Sequence, residues 1–256
     1  MGRTIERHSR HRTLGPPLLA LLLLAAVSAP ARAAFPATVD VNDTAFDPPC
    51  RGGLENSYPE KMLPAAVTAY ARLGYTTTGF TGKVFTKSHV LARTPSDWGY
   101  YAHSHGDRYL LPDGTRDYGF RSDAGLCSGA PVIAAKDIAA KRKGRQSNLV
   151  VMSMCFLGDA PTSMPAAFAI QKSKAVDLAW NGPEFYVGYH GEAWDSDEWL
   201  FEQRFWDALG DGRGVGAAFD VALARGGWGH PFGADWWGSY YWSGRAGPGS
   251  SCTNCV

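Results

Sequence analysis

Tyr100-Tyr101-Ala102-His103-Ser104-His105-Gly106-Asp107 (YYAHSHGD) is an apolar run that ends in histidines and a glycine. Cys155, 50 residues after His105, closes a second apolar run, Asn148 to Cys155 (NLVVMSMC). Short apolar runs of this kind, bounded by turn residues, are the pattern of strands buried on both faces. An imidazole at the end of one strand and a thiol at the end of another can form a nucleophilic pair if the two strands are neighbours.

The chain between the two runs favours that arrangement. Arg108 to Arg121 has the pattern of a β-hairpin turning at Pro112-Asp113-Gly114-Thr115, and Val132 to Lys143 is predicted to be helical. A helix-bearing connection of this length is what a right-handed crossover to an adjacent parallel strand requires. Upstream, Thr38 to Val41 reads as a short strand, and Leu63, Val67, Tyr70 and Ala71 fall on one face of a helix ending near Gly74. Its start is ambiguous: Ser57 and Glu60 have capping-box spacing, while Pro64 fits better in a first turn. Tyr75 to Phe85 is β-rich, and Lys87 to Arg93 forms a helix stopped by Thr94-Pro95.

Downstream, Pro165 to Lys172 is predicted as a helix and Phe185 to Tyr189 as a third strand. Asp195 and Glu198 are spaced as a capping box ahead of an apolar face of Phe201, Phe205, Ala208 and Leu209, which Gly210 ends. Val215, Phe219 and Ala222 line a further helix that stops at Gly226-Gly227. The glycines between 210 and 216 follow a helix rather than a strand, so they make a helix–helix turn and no dinucleotide site. The tail from Trp228 is rich in Trp and Gly, with a strand expected near Tyr240 to Trp242. Strands alternating with helices predict an α/β sandwich on a mostly parallel sheet, whose ligands bind beyond the carboxyl ends of the strands.

The first residues read as a targeting segment. Arg3, Arg7, Arg10 and Arg12 precede an apolar run, Leu14 to Val27, and Ala31-Arg32-Ala33 follows with small residues where a signal peptidase cuts. A secretory signal over residues 1–33 is expected, leaving 223 of the 256 residues in one domain and placing the mature protein in an extracellular or periplasmic space. Removing five arginines and one glutamate turns the formal charge from +1 to about −3, which argues against a nucleic-acid partner. No later run is long enough to span a membrane. Residues 34–54 form an N-terminal segment that could act as a propeptide, and 228–256 a tail packed on the domain. Cys50, Cys127, Cys252 and Cys255 stand among loop residues. In an oxidising compartment they make two disulfides and leave Cys155 as a thiol.

Chain order narrows the chemistry further. Papain-type sites place Cys before His, whereas here His105 precedes Cys155. On YYAHSHG and NLVVMSMC the chain resembles the caspase, gingipain, clostripain and legumain superfamily of cysteine peptidases, clan CD, whose signature is a strand ending in His-Gly followed by a strand ending in Cys. Gly188 to Leu223 is also similar to the strand–helix–helix region after the nucleophile in gingipain-like members. The resemblance implies a caspase-like three-layer α/β/α sandwich, a monomer acting on peptide or protein substrates with no cofactor. It implies Cys155 as nucleophile, His105 as proton donor to the leaving amine, and the Gly106 and Cys155 N–H groups as the oxyanion hole. Met154 stands where Ala is usual, and His190 where small polar residues are commoner. Asp159 is a candidate for selecting a basic substrate residue, or alternatively for capping the next helix.

Two other classes fit parts of the pattern. His103, His105 and Asp107 approach the ligand motif of zinc hydrolases, with Arg108 where a final His would stand. A secreted binding module on an inactive peptidase fold would use exposed tryptophans instead.

Overall fold

The computed structural model describes residues 35–42, 57–122, 130–170 and 184–239, all within the contact unit Ala34–Val256. The expected signal peptide, Cys50, Cys127, Cys252 and Cys255, and the strand at Tyr240 to Trp242 lie outside the described residues.

Pro36–Val41 (β1) leads through Ser57–Arg72 (α1) to Thr76–Thr81 (β2), and Lys87–Arg93 (α2) leads to Gly99–His103 (β3). Gly106–Leu110 (β4), Arg116–Arg121 (β5) and Val132–Ala134 (β6) precede Ala135–Arg142 (α3) and Leu149–Ser153 (β7). Met164–Ala167 (α4), Glu184–His190 (β8), Asp195–Gly210 (α5), Val215–Ala224 (α6) and Gly233–Ser239 (β9) complete the order. The six-stranded sheet runs β2-β1-β3-β7-β8-β9, parallel except for β9, which pairs antiparallel with β8. A second, antiparallel sheet, β4-β5-β6, grows from the end of β3.

The central strands are buried on both faces, and their side chains divide between two cores. Tyr101, Val151, Phe185 and Val187 pack with Tyr70 of α1, Phe201 and Phe205 of α5 and Phe219 of α6. Tyr100, Val150, Met152 and Tyr186 pack with Val90 of α2, Ile138 of α3 and Phe168 just after α4. The result is a three-layer α/β/α sandwich on a mostly parallel sheet. Burial of one such aromatic or aliphatic side chain stabilises by roughly 1.5–3 kcal/mol, so the two cores carry most of the fold.

Several local expectations change. Val132–Ala134 is a strand rather than the start of a helix, because Ile133 pairs with Phe120 and completes the small sheet. The switch to α3 comes where Asp137 Oδ2 accepts the Ala134 N–H (3.0 Å). The helix α1 begins at Ser57 and takes in Pro64, which is exposed along with Glu60, so the carbonyl without its usual donor is on the solvent side. α4 is short, Met164–Ala167, and the tail's described strand lies at Gly233–Ser239. Pro36–Val41 is an interior strand, flanked by β2 and β3. That part of the 34–54 segment therefore belongs to the sheet.

Candidate active site

The strand order changes direction between β1 and β3, since β2 lies to one side of β1 while β3, β7 and β8 succeed one another on the other. Ligand crevices in such sheets open beyond the carboxyl ends of the strands at this point. β3 and β7 are neighbours, with His103 opposite Ser153 in the ladder. His105 and Cys155 each stand two residues beyond those partners.

Gly106 sets how closely the two strand ends approach. A Cβ there would collide with the Cys155 carbonyl and lie 3.0 Å from Met154 Cγ. The Gly106–Phe120 pair is closed by a bond from the Arg121 N–H to the His105 carbonyl (3.0 Å). That is the pattern of a non-hydrogen-bonded antiparallel pair, so the Gly106 N–H is left out of the β4–β5 ladder.

The His105 turn is pinned from three elements. Ser104 Oγ accepts from Asn42 Nδ2 at the end of β1 (3.0 Å) and donates to the Arg121 carbonyl (2.6 Å). The Tyr109 hydroxyl of β4 donates to the His105 carbonyl (3.3 Å), and the Arg121 guanidinium lies 5.0 Å over the Tyr109 ring. His105 itself is half-buried.

Cys155 is a half-buried thiol. Its Sγ accepts the Ala193 N–H (3.3 Å) and lies 3.4 Å from the Ala193 carbonyl, to which the protonated form donates. A thiolate would keep the first contact, and an amide donor favours the charged form. Phe156 takes a left-handed φ of 64°, which turns the chain back onto the end of β8. There the Phe156 N–H donates to the Gly191 carbonyl and the Gly158 N–H to the Tyr189 carbonyl, each at 2.7 Å. Strained residues of this kind gather at functional turns.

Asp159 braces this loop. Its Oδ1 accepts the Gly191 N–H (3.0 Å) and lies 3.1 Å from His190 Nδ1. It does not cap α4, whose preceding residue is Ser163. Beside it, a cleft of about 420 Å³ is lined by His190, Glu192, Trp194, Pro231 and Phe232 among others. Trp194 is 40% exposed there and stacks on His230, ring centroids 4.2 Å apart.

One group of residues near the site was not expected. His103 is fully buried, with Nδ1 3.1 Å from the Ser153 carbonyl, 3.2 Å from Ser153 Oγ and 3.3 Å from Glu198 Oε2. Asp195 and Glu198, spaced as a capping box, lie within the helix, whose N-cap is Trp194; both are buried and face His103. Burial is the largest influence on His103 and favours the neutral ring. The Glu198 hydrogen bond and the charges of Asp195, Glu198 and Glu202 outweigh it, raising its pKa to about 9. Glu202, buried and hydrogen-bonded by the Tyr101 and Tyr189 hydroxyls (2.8 and 3.0 Å), is pushed up by burial to about 7.

His103, His105 and Asp107 are not gathered into a ligand set. Asp107 is exposed on β4, where its Oδ1 accepts the Arg108 N–H (2.6 Å). Among the described residues the three-residue group with ligand spacing is His103, Asp195 and Glu198. After His103 the chain turns, and Asp107 lies on β4 in the second sheet.

No protein-family model matches the chain. No curated protein matches it. Among solved structures it is similar to a crystal structure of protein GSU0716 from Geobacter sulfurreducens, with a TM-score of 0.43 at 13% identity, covering 80% of this chain and 94% of that one.

Proposed function

We propose that this protein is a secreted cysteine endopeptidase of the caspase–gingipain kind, with Cys155 as nucleophile and His105 as general acid and base. The observation that carries the reading is the junction of β3 and β7. His105-Gly106 and Met154-Cys155 leave neighbouring parallel strands in matched register, and a glycine contact lets their backbones touch.

In this reading the Cys155 thiolate attacks the peptide carbonyl, forming a C–S bond and an oxyanion. The Gly106 N–H, outside the β4–β5 ladder, and the Cys155 N–H receive that charge. As the C–N bond breaks, the His105 imidazolium gives its proton to the leaving amine. The imidazole then takes a proton from the water that attacks the thioester, and the C–S bond breaks to release the acid and restore the Cys155 thiolate beside the imidazolium. The open cleft beside Ala193 and Trp194 is the proposed seat for part of the peptide chain. Asp159, held by Gly191 and His190, shapes that seat by fixing the loop rather than by offering its Oδ1 to a substrate cation.

A mixed peptide library incubated with the mature protein tests this. Cleavage read by mass spectrometry should vanish with iodoacetamide and in Cys155→Ala, and should persist with a chelator. Cleavage lost only to the chelator would replace the thiol mechanism with a metal one.

A further inference from the structure

We infer that His103 and Glu198 are positioning residues that lock the start of α5, and with it the Ala193 amide touching the Cys155 sulfur, onto the ends of β3 and β7. The inference rests on the reading of Cys155 as a reactive thiol. It extends that reading to residues that touch neither sulfur nor substrate.

Three elements meet in one triangle. His103 closes β3, Ser153 closes β7, and Glu198 lies in the first turns of α5. His103 Nδ1 reaches Ser153 Oγ (3.2 Å) and Glu198 Oε2 (3.3 Å), and Ser153 Oγ donates to the same Glu198 oxygen (3.1 Å). His103 and Ser153 are also ladder partners, so the triangle sits at the last rung before the two strand ends diverge into the site.

Glu198 carries the connection onward through its own backbone. Its N–H and that of Asp197 both donate to the Trp194 carbonyl (2.9 Å each), which holds the residue between Ala193 and α5. Ala193 then places its N–H 3.3 Å from Cys155 Sγ. The path from the imidazole to the sulfur therefore passes through one side chain, one carbonyl and one amide.

The remaining groups around the ring make the lock electrostatic. Asp195 and Glu202 face it from α5, Tyr101 and Tyr189 hold Glu202 from β3 and β8, and Ser153 holds Glu198 from β7. A buried carboxylate opposite a buried imidazolium is held in one geometry, because either charge alone there is costly. Replacing Glu198 by Gln preserves shape but removes that constraint.

The test is the rate of Cys155 alkylation by iodoacetamide in the full chain, followed by mass spectrometry from about pH 5 to about pH 9, where thiolate populations change. In Glu198→Gln and His103→Gln the curve should move to higher pH. A displacement of about one unit, or roughly tenfold slower alkylation on the acid side, is the effect expected for weakening one amide contact to the thiolate. Ser153→Ala removes one bond from each partner without leaving a charge unbalanced. It should move the curve the same way by less, and it serves if Glu198→Gln and His103→Gln do not fold. Asp97→Asn, at a buried acid before β3 and remote from the site, should leave the curve in place. Unmoved curves in the cluster variants, or an equal movement in Asp97→Asn, would overturn the positioning role alone. A wild-type Cys155 that resists alkylation throughout would overturn the peptidase reading and this inference together.

Discussion

At Gly106 a hydrogen stands where any other residue would put a carbon against the Cys155 carbonyl. Gly106→Ala should therefore separate the two strand ends. Overpacking costs of this kind run to about 1–3 kcal/mol, so the variant should melt earlier and lose peptidase activity out of proportion to its stability. His103 makes a second prediction. Its folded pKa of about 9 exceeds the ordinary 6.5, so the folded chain keeps a proton that the unfolded chain releases between those values. Its contribution is complete below the unfolded value and is lost as pH rises through the folded one. Glu202, raised to about 7 from 4.5, has the same sign at lower pH. Melting followed by circular dichroism should fall steadily from mildly acidic solution to about pH 9, and His103→Gln should flatten the alkaline part of that fall. His105, Gly106 and Cys155 were legible as candidates in the sequence because strand ends and turn residues mark themselves locally. Glu198 was not, since an acid at the start of a helix has the same spacing whether it caps that helix or reaches a histidine on a distant strand.

Among the elements, the helix α3 is capped by Lys143, exposed and in the left-handed region with φ 52°. Glycine takes that conformation without a Cβ penalty. Lys143→Gly should therefore raise stability, by up to about 1 kcal/mol in chemical denaturation. Elements with strong local signals were read closely. The helix α2 runs from Lys87 to Arg93, and its N-cap Thr86 Oγ1 accepts the His89 N–H (3.1 Å). Elements owed to distant partners were not. The strand β6 exists because Ile133 meets Phe120, and its three residues are too few for a period to distinguish strand from helix. The start of α1 is ambiguous in the sequence because Pro64 suits a first turn as well as Ser57 suits a cap; packing of Met62, Ala66, Ala69 and Tyr70 carries the helix through the proline.

For the whole molecule, the parallel sheet with helices on both faces follows from the alternation of apolar runs and amphipathic segments, and it brings the two predicted strand ends together. Among the described residues no helix is long and apolar enough to cross a membrane. Because β1 pairs on both sides and buries Ala37, Val39 and Val41, deletion through Val41 should abolish cooperative folding, read as loss of a sharp thermal transition. A shortened chain that melted as sharply as the full one would show that the sheet can form without β1. The central claim is narrower: Cys155 is a nucleophile and His105 assists it. It is tested most directly by labelling the full chain with a peptidyl electrophile and weighing the adduct. One adduct is expected, on Cys155, formed in wild type and in Asp97→Asn but at least about a hundredfold more slowly in His105→Ala. An adduct on another residue, or labelling of Cys155 at the same rate without His105, would contradict it.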